Sequence, residues 1–152
     1  MGPAGHPVTR LMVPFDELPG TVGTRLVSPW TSVEVADTVV FETVTRVPVA
    51  TEAGYDHDVV AGFQLLSMLD HLVSPMITVT GGPSAWNYGL DRVRFIQPVH
   101  AGERFRATVR IVEVLPRPTG HLLRADVEVE VDGRPGPAFV AQLLLLWPRD
   151  DG

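Results

Sequence analysis

The chain has 152 residues, 45% hydrophobic and 20% charged, which suffices for one domain with its own core and is too little charge for a disordered chain. The absence of cysteine excludes disulfides, thiolate metal sites and cysteine nucleophiles together. A formal charge of −6, from 12 basic and 18 acidic residues, opposes the phosphate neutralisation that nucleic-acid binding needs. No stretch approaches the ~18 apolar residues of a membrane span, and no basic segment followed by an apolar run marks an export signal. A soluble, cytoplasmic protein is expected, with no nucleic-acid or membrane partner.

Residues 1–29 carry Pro3, Pro7, Pro14, Pro19 and Pro29, which exclude a long helix or a central strand there and suggest a leader wrapping the domain. Trp30 to Phe41 mixes apolar and polar residues and predicts a strand running into a short helical turn. The clearest helix is Val59 to Val73, where Val59, Val60, Phe63, Leu66, Leu69, Leu72 and Val73 recur at steps of three and four. Asp58 is its expected N-cap, and Ser74-Pro75 its end. Gly62 sits near the start, where a glycine costs about 1 kcal/mol relative to alanine. Either a ligand approaches the backbone there or the helix packs closely on a strand.

After the turn formers Thr80 to Ser84, the pattern predicts four strands. Leu90 to Gln97 alternates, and Arg104 to Val114 turns Phe105, Ala107, Val109 and Ile111 to one face. Parity breaks at Val112, which predicts a bulge. His121 to Val131 alternates again, Asp132-Gly133 is a hairpin signal, and Ala138 to Trp147 follows, with Leu143 to Trp147 apolar on both faces. The sum is an α+β layout in which an antiparallel sheet wraps one long central helix.

The stretch Asn87-Tyr88-Gly89-Leu90-Asp91-Arg92-Val93-Arg94-Phe95, followed by Pro98-Val99 and Ala101-Gly102-Glu103, resembles the MaoC-like hydratases and dehydratases of the hot dog fold. Val60 to Ser67 is similar to their central helix, Trp30 to Val33 and Phe41 to Thr45 to their opening strand and helix, and Pro137 to Leu146 to their last strand. The likeness runs from about Gly23 to Pro148. It divides the chain into a leader (1–22), a single hot dog domain (23–148) and a short tail (149–152).

The resemblance implies a bacterial protein of fatty acyl or polyketide metabolism, working as a homodimer or with another hot dog chain. It implies no cofactor and no metal, only a substrate carried on coenzyme A or an acyl carrier protein, its acyl chain in a tunnel at the dimer interface. The thioester carbonyl meets backbone amides at the helix start, a place that falls to Gly62. Partial positive charge at that end is what a developing enolate oxygen needs.

The family's chemistry rests on an aspartate followed five residues later by a histidine. Here those positions fall on Val47 and Glu52, Ala61 replaces the histidine ahead of the helix glycine, and the segment from Thr45 to Gly62 is shorter. Glu52 and His57 keep the carboxylate-to-imidazole spacing, and Tyr55-Asp56-His57-Asp58 gathers titratable groups before the helix. An imidazole with pKa near 6.5 beside carboxylates suits proton transfer; a solvated polar loop is the plainer reading. His57, Asp56 and Glu52 are therefore the candidate catalytic residues, and Gly62, Tyr55, Asp70, Asn87 and Tyr88 the candidate substrate-binding residues. Asp70 lies eight residues after Gly62, where the family often turns a small polar residue to the pocket. His100 and His121, at strand ends, are expected on the surface.

Three functions stay open. The first is a hydro-lyase acting on an acyl or polyketide thioester with a non-standard acid and base. The second is a cyclase or isomerase working by enclosure in an apolar pocket. The third is a non-catalytic hot dog subunit or acyl-binding partner. A general acid or base contributes about 10² to 10⁴ in rate and an oxyanion donor about 10² to 10³, so a chain that kept only the second would be a weak dehydratase.

Overall fold

The computed structural model describes residues 9–46 and 58–149. In chain order its elements are β1 (Leu11–Pro14), β2 (Arg25–Val27), α1 (Val35–Thr45), α2 (Gly62–Val73), β3 (Ile77–Thr80), β4 (Trp86–Phe95), β5 (Phe105–Arg117), β6 (Gly120–Val131) and β7 (Pro137–Pro148), with 3₁₀ turns at Phe15–Thr21 and Ser74–Met76. Five strands form an antiparallel sheet in the order β2-β5-β6-β7-β4, while β1 and β3 pair in parallel as a separate ribbon.

The four long strands follow the alternation in the sequence. Phe105, Ala107, Val109 and Ile111 are fully buried, opposite Val131, Val129, Val127 and Ala125 of β6. The register of β5 and β6 shifts between Ile111 and Glu113, the bulge that the broken parity at Val112 predicts. Gly133 takes a φ of 74° in the turn between β6 and β7, a left-handed conformation that suits glycine. Leu143, Leu144 and Leu145 are all buried, since β7 lies between β6 and β4 with apolar neighbours on both faces. On the outer face, Arg106 pairs with Glu130 at 2.6 Å and Arg124 with Glu113 at 3.0 Å, cross-strand ion pairs on a solvated surface.

Four expectations are corrected. The central helix begins at Gly62, not Val59, and its N-cap is Ala61, not Asp58. Residues 58–60 instead run extended against 99–101: Val60 N–H donates to Val99 O at 2.8 Å and Ala101 N–H to Asp58 O at 2.7 Å. The β-branched pair Val59-Val60 suits that ladder better than a helix start. Second, only Thr31 of the Trp30 segment bridges a strand, exchanging hydrogen bonds with Phe105, and the expected short turn is an 11-residue helix. A capping box nucleates it, with Asp37 Oδ2 accepting from Glu34 N–H at 2.9 Å. Third, β4 starts four residues earlier than its alternation implied, at Trp86.

Fourth, His121 is buried, at 7% exposure, because Phe15 of the N-terminal 3₁₀ turn covers its ring at 4.7 Å between centroids. Pro14, at the end of β1, and Pro19, in the 3₁₀ turn, sit where they cost no sheet hydrogen bonds. Leu18 of that turn is fully buried in the core that also holds Leu65, Leu69 and Leu72 of α2.

Candidate functional site

Helix α2 presents two faces of different use. Leu65 and Leu72 are buried in the core. Gly62, Leu66, Leu69 and Val73, at steps of four, three and four, form a stripe that looks along β4. β4 runs antiparallel to this stripe. Phe95 at its end lies over Gly62, so that a Cβ on residue 62 would stand 3.1 Å from the ring, while Asn87 near its start reaches Asp70 in the last turn of α2. The helix packs closely on a strand at this glycine, one of the two readings its position left open.

Between helix and strand lies a cleft of about 340 Å³, walled by Leu66, Leu69 and Val73 of α2, Gly89 and Leu90 of β4, and Leu143 and Leu145 of β7. The lining begins at Leu66, one turn past the start of α2, and among the described residues that start has no side-chain cap. The first-turn amides therefore keep their donor capacity and the positive end of the helix dipole. An acceptor that develops negative charge is favoured there, next to an apolar channel.

The structure brings Asp70 and Asn87 together: Asn87 Nδ2 donates to both carboxylate oxygens at 3.1 Å, and Ser74 Oγ donates to Oδ1 at 3.3 Å. Gly62 lies at the other end of the same stripe. Tyr88 does not join them; it lines a separate hollow with Arg117, Leu122 and Leu146. Tyr55, and with it the candidate acid and base residues Glu52, Asp56 and His57, lie outside the described residues. Among the described residues no group of three His, Asp or Glu side chains is placed to hold a metal ion.

Three buried polar residues, none of which lines the cleft, are not predicted by the sequence. Helix α1 is inside out: Thr38 and Glu42, one turn apart, are buried at 0% and 4%, whereas Val35, Val39, Val40 and Val44 are exposed. Gln64, in the first turn of α2, is 5% exposed, and its Oε1 and the Thr38 Oγ1 find no hydrogen-bond partner among the described residues. The signal was available, since valines on the wrong face of an otherwise periodic segment mean that something polar is wanted inside.

No family model matches the chain. It is 40% identical over 87 residues to the 3-hydroxyacyl-thioester dehydratase Z of Mycobacterium tuberculosis, a match covering 57% of this chain and 58% of that protein, so the chain spans under three fifths of that relative's length. In structure it is similar to the R-hydratase PhaJ1 of Pseudomonas aeruginosa, with a TM-score of 0.66, 19% identity and 90% and 86% of the two chains covered. It is also similar to the MaoC-like dehydratase of Rhodospirillum rubrum, with a TM-score of 0.62, 14% identity and 85% and 94% covered. The fold is the hot dog fold, and the resemblance carried by Asn87 to Phe95 agrees with these relatives and neighbours.

Proposed function

We propose that this chain adds water to, or removes it from, an acyl or polyketide thioester carried on coenzyme A or an acyl carrier protein. In the hydration direction, water oxygen bonds to C3 of a 2-enoyl thioester as the double-bond electrons move toward the carbonyl oxygen. The base takes one proton of the water, the other stays on the new C3 hydroxyl, and the acid delivers a proton to C2 as the thioester carbonyl reforms. The enolate oxygen takes the first-turn amides of α2, and the acyl chain takes the cleft between α2 and β4. The observation that carries this reading is the apolar cleft between α2 and β4, whose lining begins at Leu66, one turn past a helix start that has no side-chain cap among the described residues. The match to a 3-hydroxyacyl-thioester dehydratase supports the same chemistry.

Proton transfer is assigned to His57 with Glu52 or Asp56, on their spacing in the sequence. The working unit is assigned to a homodimer joined at β4. That strand is an edge of the sheet, with Trp86 and Tyr88 exposed at 63% and 60%, and an open apolar edge favours pairing with a second chain. The cytoplasm is its expected place; among the described residues no helix is long and apolar enough to cross a membrane.

The test is hydration of crotonyl-type thioesters by the purified chain and its His57→Ala variant. Turnover that falls about 10² to 10⁴-fold on substitution is the expected result. A stable dimer that hydrates no thioester overturns the reading in favour of a cyclase or isomerase. A chain that is stable only with a second hot dog protein overturns it in favour of a non-catalytic subunit.

A further inference from the structure

The loop between β4 and β5 joins two distant parts of the chain. On one side, Val99 O accepts from Val60 N–H at 2.8 Å and Ala101 N–H donates to Asp58 O at 2.7 Å, and residues 58–60 lead directly into α2 at Gly62. On the other side, the turn between β6 and β7 grips the same loop. Arg134 Nη2 donates to Pro98 O at 2.8 Å and to Glu103 Oε2, and Gln97 Nε2 donates to Pro135 O at 2.8 Å. Glu103 Oε2 also accepts from His100 N–H at 2.7 Å, so one carboxylate oxygen closes the loop on itself and ties it to Arg134. Arg106, Arg110 and Arg124 pair across the β5–β6 ladder. Arg134 and Glu103 instead join two loops, and both are half-buried. Among the described residues no side chain caps α2, so the chain entering its first turn is held by the ladder that this loop supplies.

We infer that Arg134 and Glu103 are positioning residues, which fix, through Val99 and Ala101, where the first-turn amides of α2 stand. The consequence for turnover rests on the thioester reading above, in which those amides receive the enolate oxygen. Neither side chain lines the cleft, so both act through the loop and leave acyl binding alone. Hydrogen bonds between ionised partners are stronger than neutral ones, and salt screens a half-buried pair less than an exposed one. A donor misplaced by about 1 Å costs on the order of 10²-fold in rate. Loss of the pair therefore lowers kcat and spares KM.

The experiment makes two measurements on the full chain, comparing wild type with Glu103→Ala, Arg134→Ala, Glu103→Gln and, as a control, Arg110→Ala, whose exposed ion pair with Asp126 touches neither loop. The first is amide hydrogen exchange read by NMR. Both alanine variants should speed exchange of Val60, Leu65 and Ala101 by about 10-fold or more relative to Val127 and Val129 in the core of β6. The second is hydration of a crotonyl-type thioester, where kcat should fall about 10²-fold with KM unchanged. Glu103→Gln keeps an oxygen acceptor for both donors and should recover most of both losses, and Arg110→Ala should match wild type in both. Exchange that rises equally at Val60 and Val127 reports a general loss of stability and overturns the inference. Unchanged kcat in a chain that hydrates thioesters, or a rise in KM in place of the fall in kcat, overturns it too. If wild type hydrates no thioester while the alanine variants show the selective exchange, the hydration reading falls and the positioning of α2 stands.

Discussion

The Phe95 ring occupies the space that a Cβ on residue 62 would need, with three ring atoms within 3.2 Å of that position. Phe95 belongs to the edge strand β4 and Gly62 to the first turn of α2, so this contact fixes how close the strand comes to the helix end. Gly62→Ala is expected to destabilise the fold by about 1–2 kcal/mol, an overpacking cost that exceeds the gain in helix propensity. Phe95→Ala should abolish that penalty. A double-mutant cycle in urea measures the coupling, and additivity of the two substitutions would refute the contact.

His121 makes stability depend on pH. Burial lowers its pKa below the ordinary 6.5, the nearby Arg149 lowers it further, and Asp16 offsets part of the shift. The unfolded chain therefore takes up this proton at a higher pH than the folded one. Stability contributed by this site is complete above pH 6.5 and is lost as pH falls from there toward the depressed folded value. Melting temperature followed from pH 8 to 5 should decline over the acid half of the range, and His121→Leu should flatten that decline.

The inside-out face of α1 predicts a gain rather than a loss. Thr38 is fully buried and its hydroxyl has no partner among the described residues, so the near-isosteric Thr38→Val should stabilise the protein by about 1 kcal/mol in chemical denaturation. Gln64→Met should act in the same direction, removing a buried carbonyl oxygen that has no donor among the described residues. If these groups are kept for substrate, enoyl-thioester turnover should fall in both variants while the melting temperature rises. Unchanged turnover in both would assign them no part in the site.

The open edge at β4 predicts the assembly. Trp86→Lys places a charge on an exposed apolar strand edge and should weaken a homodimer joined there by about 100-fold or more, read by sedimentation velocity. Arg10→Lys, at an exposed position before β1, is the matched control and should leave the association unchanged.

The local alternation of β5, β6 and β7 is strong enough to declare itself in the sequence. Each strand buries one face fully, and a slip of one residue would expose the whole set, so Phe105 to Ile111 read correctly without any knowledge of partners. The end of α2 at Ser74-Pro75 was legible for a similar reason, since proline restricts the residue before it and the backbone chemistry is local. Tertiary pairing decided the start of that helix. Val59 and Val60 fit the helical period, but the hydrogen bonds offered by Val99 and Ala101, some forty residues away in sequence, hold them extended. The same holds for His121, whose burial is created by Phe15 from the far end of the chain, and for Asp70 and Asn87, whose pairing exists only because β4 returns beside α2. Sequence by itself determined which faces are apolar. Which polar groups meet across those faces was settled by the folded chain, because periodicity records burial and carries no address for the partner.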